Sequence, residues 1–198
     1  MTKLLIKFLC LALISVSYTA NAGTLFLDIS GHLDSDNNQQ TSNIKPVANG
    51  WQLEIEGIQT RQIIRNFSEV SGLNAGIEDK VFETRDVSIK LKLDRKTGEV
   101  SGKSRGLITD LTDEPEPYHF ETRLKGHFNC IDPGVKRCRL MIVDMKSIGV
   151  IFDDTDGAER VAAGTITEQL IGALFEDPNF ESRLLDSTGT YSLHYISN

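Results

Sequence analysis

The sequence predicts a mainly β fold, an antiparallel β-sandwich or barrel of about seven or eight strands with one amphipathic helix. Three observations over the 198 residues predict it. Apolar and polar residues alternate with period two in segment after segment, as strands with one buried face require. Gly, Pro, Asp and Asn punctuate those segments at short intervals. A single segment, 60–71, carries apolar residues at a clear helical spacing. An α+β layer, with that helix packed on an antiparallel sheet, is the alternative architecture.

The elements follow in order. Leu25, Leu27 and Ile29 alternate as a first strand, and the wholly polar run from Asp34 to Asn43 is a loop. Trp51, Leu53 and Ile55 point inward from a second strand, with Gln52, Glu54 and Glu56 on its other side. Ile63, Ile64, Phe67 and Val70 then fall at helical spacing, with Thr60 as cap and Gly72 as terminator. Arg61, Arg65 and Glu69 form the solvated side of that helix. Val87, Ile89, Leu91 and Leu93 return to strand alternation. The turn from Asp94 to Glu99 leads into a polar strand through Val100, Gly102 and Ser104, a hairpin signal. Residues 109–117 read as an acidic, Pro-broken loop.

Tyr118 to Leu124 alternates again and runs to Cys130, and Cys138 to Phe152 is β-prone with a bend at Gly149. Residues 153–159 form an acidic turn. Residues 160–175 read two ways. Thr165 and Glu168 have capping-box spacing, and Ile166, Leu170, Ile171 and Leu174 fit one helix face. Gly164 and Gly172 weaken a helix, and Thr165-Ile166-Thr167 suits a strand, so the balance tips to strand. Residues 177–188 are a loop or short helical turn, and Thr190 to Ile196 is the closing strand.

The first 22 residues read as a secretory signal peptide. Lys3 and Lys7 precede an apolar core over Phe8 to Val16, and Ala20-Asn21-Ala22 is a small-x-small cleavage site before Gly23. The apolar run falls short of the roughly 20 residues that a spanning helix needs. Cys10 lies inside that run, which argues against lipid attachment there. Cleavage leaves a single exported domain, 23–198, in the periplasm or outside the cell, with no transmembrane segment. The whole chain has net charge −7; losing Lys3 and Lys7 leaves 19 Lys and Arg against 28 Asp and Glu, or −9. An acidic surface repels phosphate backbones and anionic lipid, so composition disfavours a nucleic-acid partner, and no basic run in the sequence is long.

Cys130 and Cys138 remain after cleavage, and an even pair in an oxidising compartment should bridge. The enclosed Pro133-Gly134 turn fits two adjacent strand ends clipped together, with a stabilisation of about 2–3 kcal/mol. Two cysteines with His127 supply too few ligands for a metal site.

Other constellations are weak. Asp34-Ser35-Asp36-Asn37-Asn38 alternates oxygen ligands as a calcium loop does, but Gln39 stands where the turn glycine is wanted and Lys45 where the bidentate acid is wanted. Asp153 to Gly157 has the glycine without the distal acid. Glu54, Glu56, Glu121 and Asp144 are the candidates for a glycosidase carboxylate pair, all at outward strand positions. His119 and His127 share one strand face but lie more than roughly 20 Å apart, too far for one metal. No Gly-x-Ser-x-Gly elbow and no phosphate loop occurs. No cofactor, no metal site and no catalytic residue is therefore expected.

Leu53-Glu54-Ile55-Glu56, the helix over 60–71, Gly72-Leu73-Asn74 and Val87-Ser88-Ile89-Lys90-Leu91 together resemble the β-α-β opening of the N-terminal domains of secretin-type outer-membrane channels. The resemblance ends at the Thr97-Gly98 hairpin, where that family has a second helix. The sequence thus supports an exported, soluble, non-enzymatic binding or envelope-accessory protein of unspecified partner (protein, glycan or lipid). The alternative is a periplasmic or secreted hydrolase with a dispersed site, for which His119, Asp144 and His127 are the first residues to test.

Overall fold

A computed structural model describes residues 24–30, 41–67, 79–112, 116–130, 137–152, 157–175, 184–186 and 190–196. Nine strands form one antiparallel sheet: β1 (Thr24–Ser30), β2 (Thr41–Val47), β3 (Gly50–Ile64), β4 (Lys80–Asp94), β5 (Glu99–Asp110), β6 (Pro117–Cys130), β7 (Arg137–Phe152), β8 (Leu184–Asp186) and β9 (Thr190–Ile196). A helix, α1, spans Gly157–Leu174. The strand order is β1-β9-β7-β6-β5-β4-β3-β2, and β8 pairs with the second half of β3. The fold is mainly antiparallel β, as the alternation predicts.

The sheet is curled. On a flat sheet, strands three places apart lie roughly 14 Å apart, at about 4.8 Å per strand. Yet the Trp51 ring on β3 stands 6.4 Å from Phe128 on β6 and 5.4 Å from Tyr195 on β9, both edge-on. The two end strands, β1 and β2, also approach each other. The inward side chains, among them Leu53, Ile55, Ile89, Leu91, Leu93, Val100, Ile108 and Leu124, therefore converge on one core.

Bulges supply the curl. Asp86 on β4 has φ 53° and is the extra residue against both β3 and β5. Asp144 on β7, also at φ 53°, sits in the shift between Lys125/Lys146 and His127/Val143. Each bulge presses on a glycine of the facing strand. A Cβ on Gly106 would lie 3.0 Å from the Arg85 carbonyl oxygen, and one on Gly126 would lie 2.9 Å from that of Val143 and against the Met145 sulfur. A bulge opposite a glycine bends a sheet sharply, which closes a barrel-like curl.

The helix expected over 60–71 is corrected. Residues 60–64 are the second half of β3, and those beyond Phe67 lie outside the described residues. Two features hid the strand. Gly57, at φ 79°, is in a bulge that moves the inward positions from odd to even, from Ile55 to Ile58. Two inward positions are polar: Thr60, whose hydroxyl lies 2.6 Å from that of Thr84, and the fully buried Gln62. The secretin-like segment accordingly lacks its helix at 60–64, where β3 pairs directly with β4.

Residues 157–174 are the helix, against the preference for a strand. Ala162, Ala163, Gly164, Ile166, Thr167, Leu170, Ile171 and Leu174 are buried. So wide a buried face leaves little amphipathic signal in the sequence. Gly164, which weakens a helix by propensity, is its point of closest approach: a Cβ there would meet the Ser147 hydroxyl at 3.0 Å. Inside the curl the Thr167 hydroxyl lies 3.1 Å from that of Ser104 on β5 and donates to the Ala163 carbonyl at 2.8 Å. The Glu168 carboxylate accepts the Ser147 N–H of β7. That contact lies where β7 has run past its pairing with β9, which ends at Leu140.

A buried ion pair closes one end of β4 and β5. Lys80 Nζ donates to Asp110 Oδ2 at 2.6 Å and lies 5.5 Å from the Phe67 ring centroid. At the opposite end the predicted hairpin forms: Asp94 Oδ1 accepts the backbone N–H groups of Lys96 at 2.9 Å and Thr97 at 3.1 Å, and Gly98 takes φ 73°.

Candidate functional site

The outward side chains of β2 to β7 carry the most distinctive chemistry. Strand alternation sends every second residue outward, and the register then lines those residues up across strands. Lys45, Gln52, Lys92, Ser101, Lys125 and Lys146 form one continuous row over six strands. Two residues along lies a second row, Asn43, Glu54, Lys90, Lys103, Arg123 and Gly149. The two rows hold seven cations and one carboxylate. Rows of like charge are unusual, because like charges directly opposite each other destabilise a sheet.

Neighbouring acids relieve part of this repulsion. Glu54 accepts from Lys90 at 3.1 Å and from Gln52 at 2.9 Å, and pairs with Lys45 at 3.5 Å. The hydrogen bond from Lys90, then that from Gln52, and the charges of Lys45 and Lys90 hold its carboxyl below the usual range against the opposing effect of desolvation. Glu121 pairs with Lys103 at 2.8 Å, and Glu99 with Lys125 at 3.7 Å. Lys92, Arg123 and Lys146 are exposed and have no carboxylate within salt-bridge distance among the described residues, although the Lys92 charge acts on Asp94.

Next to the second row the outer face has a hollow of about 690 Å³, lined by Asp86, Arg105, Gly106, Leu107, His119, Phe120, Glu121 and Ile151. The Asp86 bulge and Gly106 shape its floor. Its lining offers a cation, an imidazole and two carboxylates, but no hydroxyl or thiol.

The residues singled out from sequence do not assemble into one centre. His119 lines the hollow, whereas His127 lies eight residues further along β6, opposite Val143, and Asp144 is in the β7 bulge beside it. Glu54, Glu56 and Glu121 are on the outer side of β3 and β6, where Glu54 and Glu121 are engaged by lysines. Cys130 and Cys138 stand at disulfide distance with their Cα atoms 5.7 Å apart, next to Trp51, Phe128 and Tyr195. Ala22, Gly23 and the calcium-like runs at 34–38 and 153–156 lie outside the described residues. Among the described residues no group of three or more His, Cys, Asp and Glu could hold a metal, and no helix is long and apolar enough to cross a membrane.

Sequence reasoning passed over the cationic rows because no basic run is long. The signal was there in another form. Lys90 and Lys92, Lys103 and Arg105, and Arg123 and Lys125 are three basic pairs at i, i+2 on successive strands. That spacing puts both members on one face, and antiparallel neighbours then stack the pairs side by side. No family model matches this chain, and no curated protein or solved structure is significantly similar to it.

Proposed function

We propose that this chain is an exported, non-enzymatic binding protein that docks an anionic partner on the outer face of its curled sheet. The observation that carries the reading is the pair of cross-strand rows, Lys45-Lys92-Lys125-Lys146 and Lys90-Lys103-Arg123. Their mutual repulsion costs stability, and an anionic ligand would offset it. The chain's acidic net charge does not oppose this, because at physiological salt charges act over a Debye length of about 8 Å. A ligand at the rows meets the local cations.

Export is supported by the signal-like first 22 residues and by the cysteine pair at disulfide distance. The hydrolase alternative has thinner support, since His119 lies in a hollow without a hydroxyl or thiol and away from His127 and Asp144.

Binding to inorganic polyphosphate, titrated against salt, tests the reading. The expected result is binding that weakens steeply with salt and is reduced by the double substitution Arg123→Gln and Lys146→Gln. Salt-independent binding, or an unchanged affinity in that variant, would contradict it.

A further inference from the structure

We infer that the open edge of β7 binds an extended segment of another polypeptide, which adds to the sheet as a strand between that edge and α1. The inference goes beyond the anionic face and does not rest on it. β7 pairs with β6 along most of its length, but with β9 only from Arg137 to Leu140. Past Leu140, no described strand pairs with its other edge. An unpaired strand edge presents backbone N–H and C=O groups that another extended backbone matches. Ser147 shows the demand: its N–H donates to the Glu168 carboxylate of α1, a side-chain acceptor in place of a strand carbonyl.

Ile148 and Ile151, the exposed large hydrophobic residues among those described, flank this edge on opposite faces of the sheet. Ile148, 62% exposed, lines a groove of about 450 Å³ against α1, with Val150, Val161 and Thr165. Ile151, 48% exposed, borders the hollow on the outer face, beside Leu107. A strand added to the edge sends its side chains alternately to the two faces, so it covers both isoleucines at once. An occupant lying on one face reaches only one of them.

The charges at the edge give the segment its chemistry. Arg160 in the groove and Lys146 on the outer face have no carboxylate within salt-bridge distance among the described residues. Glu168, the acid of the groove, is taken up by Ser147. The segment that fits carries apolar residues for the isoleucines and carboxylates for Arg160 and Lys146. A second copy of this chain fits less well. The bulges at Asp144 and Ile148, with Lys146 between them, are devices that keep strand edges from pairing with their own copies. A copy of β7 also arrives with β6 and α1 attached, whereas a free segment needs only the groove.

The test selects displayed random peptides of about ten residues, the upper length of ordinary strands, on the protein purified as the cell processes it. Selected peptides are expected to alternate with apolar residues and to carry acids. Their affinity, read by fluorescence anisotropy, should fall about tenfold in Ile148→Ser and about tenfold in Ile151→Ser. Arg160→Gln should weaken the acidic peptides about fivefold and leave their amide analogues unchanged. Methylating the backbone nitrogens of a selected peptide should abolish binding, because those N–H groups pair with β7. All three substituted side chains are exposed, so the variants keep the fold, which circular dichroism checks. The absence of any enriched peptide, binding that survives backbone methylation, or binding indifferent to either isoleucine would overturn the inference. A dimer in analytical ultracentrifugation that Ile148→Ser with Ile151→Ser converts to monomer would overturn it in favour of a second copy. None of these outcomes bears on the anionic face, which polyphosphate binding reads separately.

Discussion

Lys103 on β5 and Arg123 on β6 stand directly opposite each other on the outer face, and Lys90 flanks Lys103 on its other side. Glu121 takes up the Lys103 ammonium at 2.8 Å, which leaves the Arg123 guanidinium with no carboxylate partner among the described residues.

That relationship predicts a conflict between stability and binding. Arg123→Glu replaces a like-charge neighbour of Lys103 with an opposite one and should raise unfolding stability by about 0.5 kcal/mol. The same change should weaken polyphosphate binding. Urea unfolding and the binding titration are read on one preparation. A variant that loses stability would show that the row is not a site of repulsion.

Gly126, which faces the Asp144 bulge, and Gly149 should respond differently to an added methyl. Gly126→Ala drives a methyl into the Val143 carbonyl and the Met145 sulfur, with a cost of about 1–3 kcal/mol. Gly149→Ala should cost little, because a Cβ there meets the Arg123 Cδ at 3.9 Å and nothing nearer. Equal losses at the two positions in thermal unfolding would contradict the close approach of Gly126 to the Asp144 bulge.

Acid should erode stability in a defined direction. Glu54 is held below the usual carboxylate range, first by the Lys90 hydrogen bond, and Asp94 likewise, first by the Thr97 backbone N–H. A carboxyl with a depressed folded-state pKa contributes stability that is fully present above its unfolded value, about 4, and is lost as pH falls through the folded value. Both groups are partly exposed at the surface, so each contribution is small. Stability measured against pH should fall below about pH 4 and fall less steeply in Glu54→Gln with Asp94→Asn. An identical acid limb in that variant would assign the loss to other groups.

The fold was legible wherever a strand alternates without interruption. β4, with Val87, Ile89, Leu91 and Leu93 inward, and its hairpin to β5 follow from the residues directly. The failures share one cause: packing overrides local pattern. At β3 the Gly57 bulge shifts the inward parity, and Thr60 and Gln62 put polar atoms where an apolar signal was sought. In α1 the glycine that argues against a helix by propensity is the one that lets it approach β7. The cationic face was half legible. Each i, i+2 basic pair is visible along the chain, but the alignment of Lys103 with Lys90 and Arg123 exists only once the register is fixed.

Lysine acetylation with and without bound polyphosphate tests the central claim most directly, because it reads the face residue by residue. Lys92, Lys125 and Lys146 should lose reactivity on binding, while Lys96, exposed on the β4–β5 turn and outside the rows, should keep it. Protection of Lys96 to the same degree, or protection that spares the three row lysines, would contradict an anionic docking face built from β4 to β7.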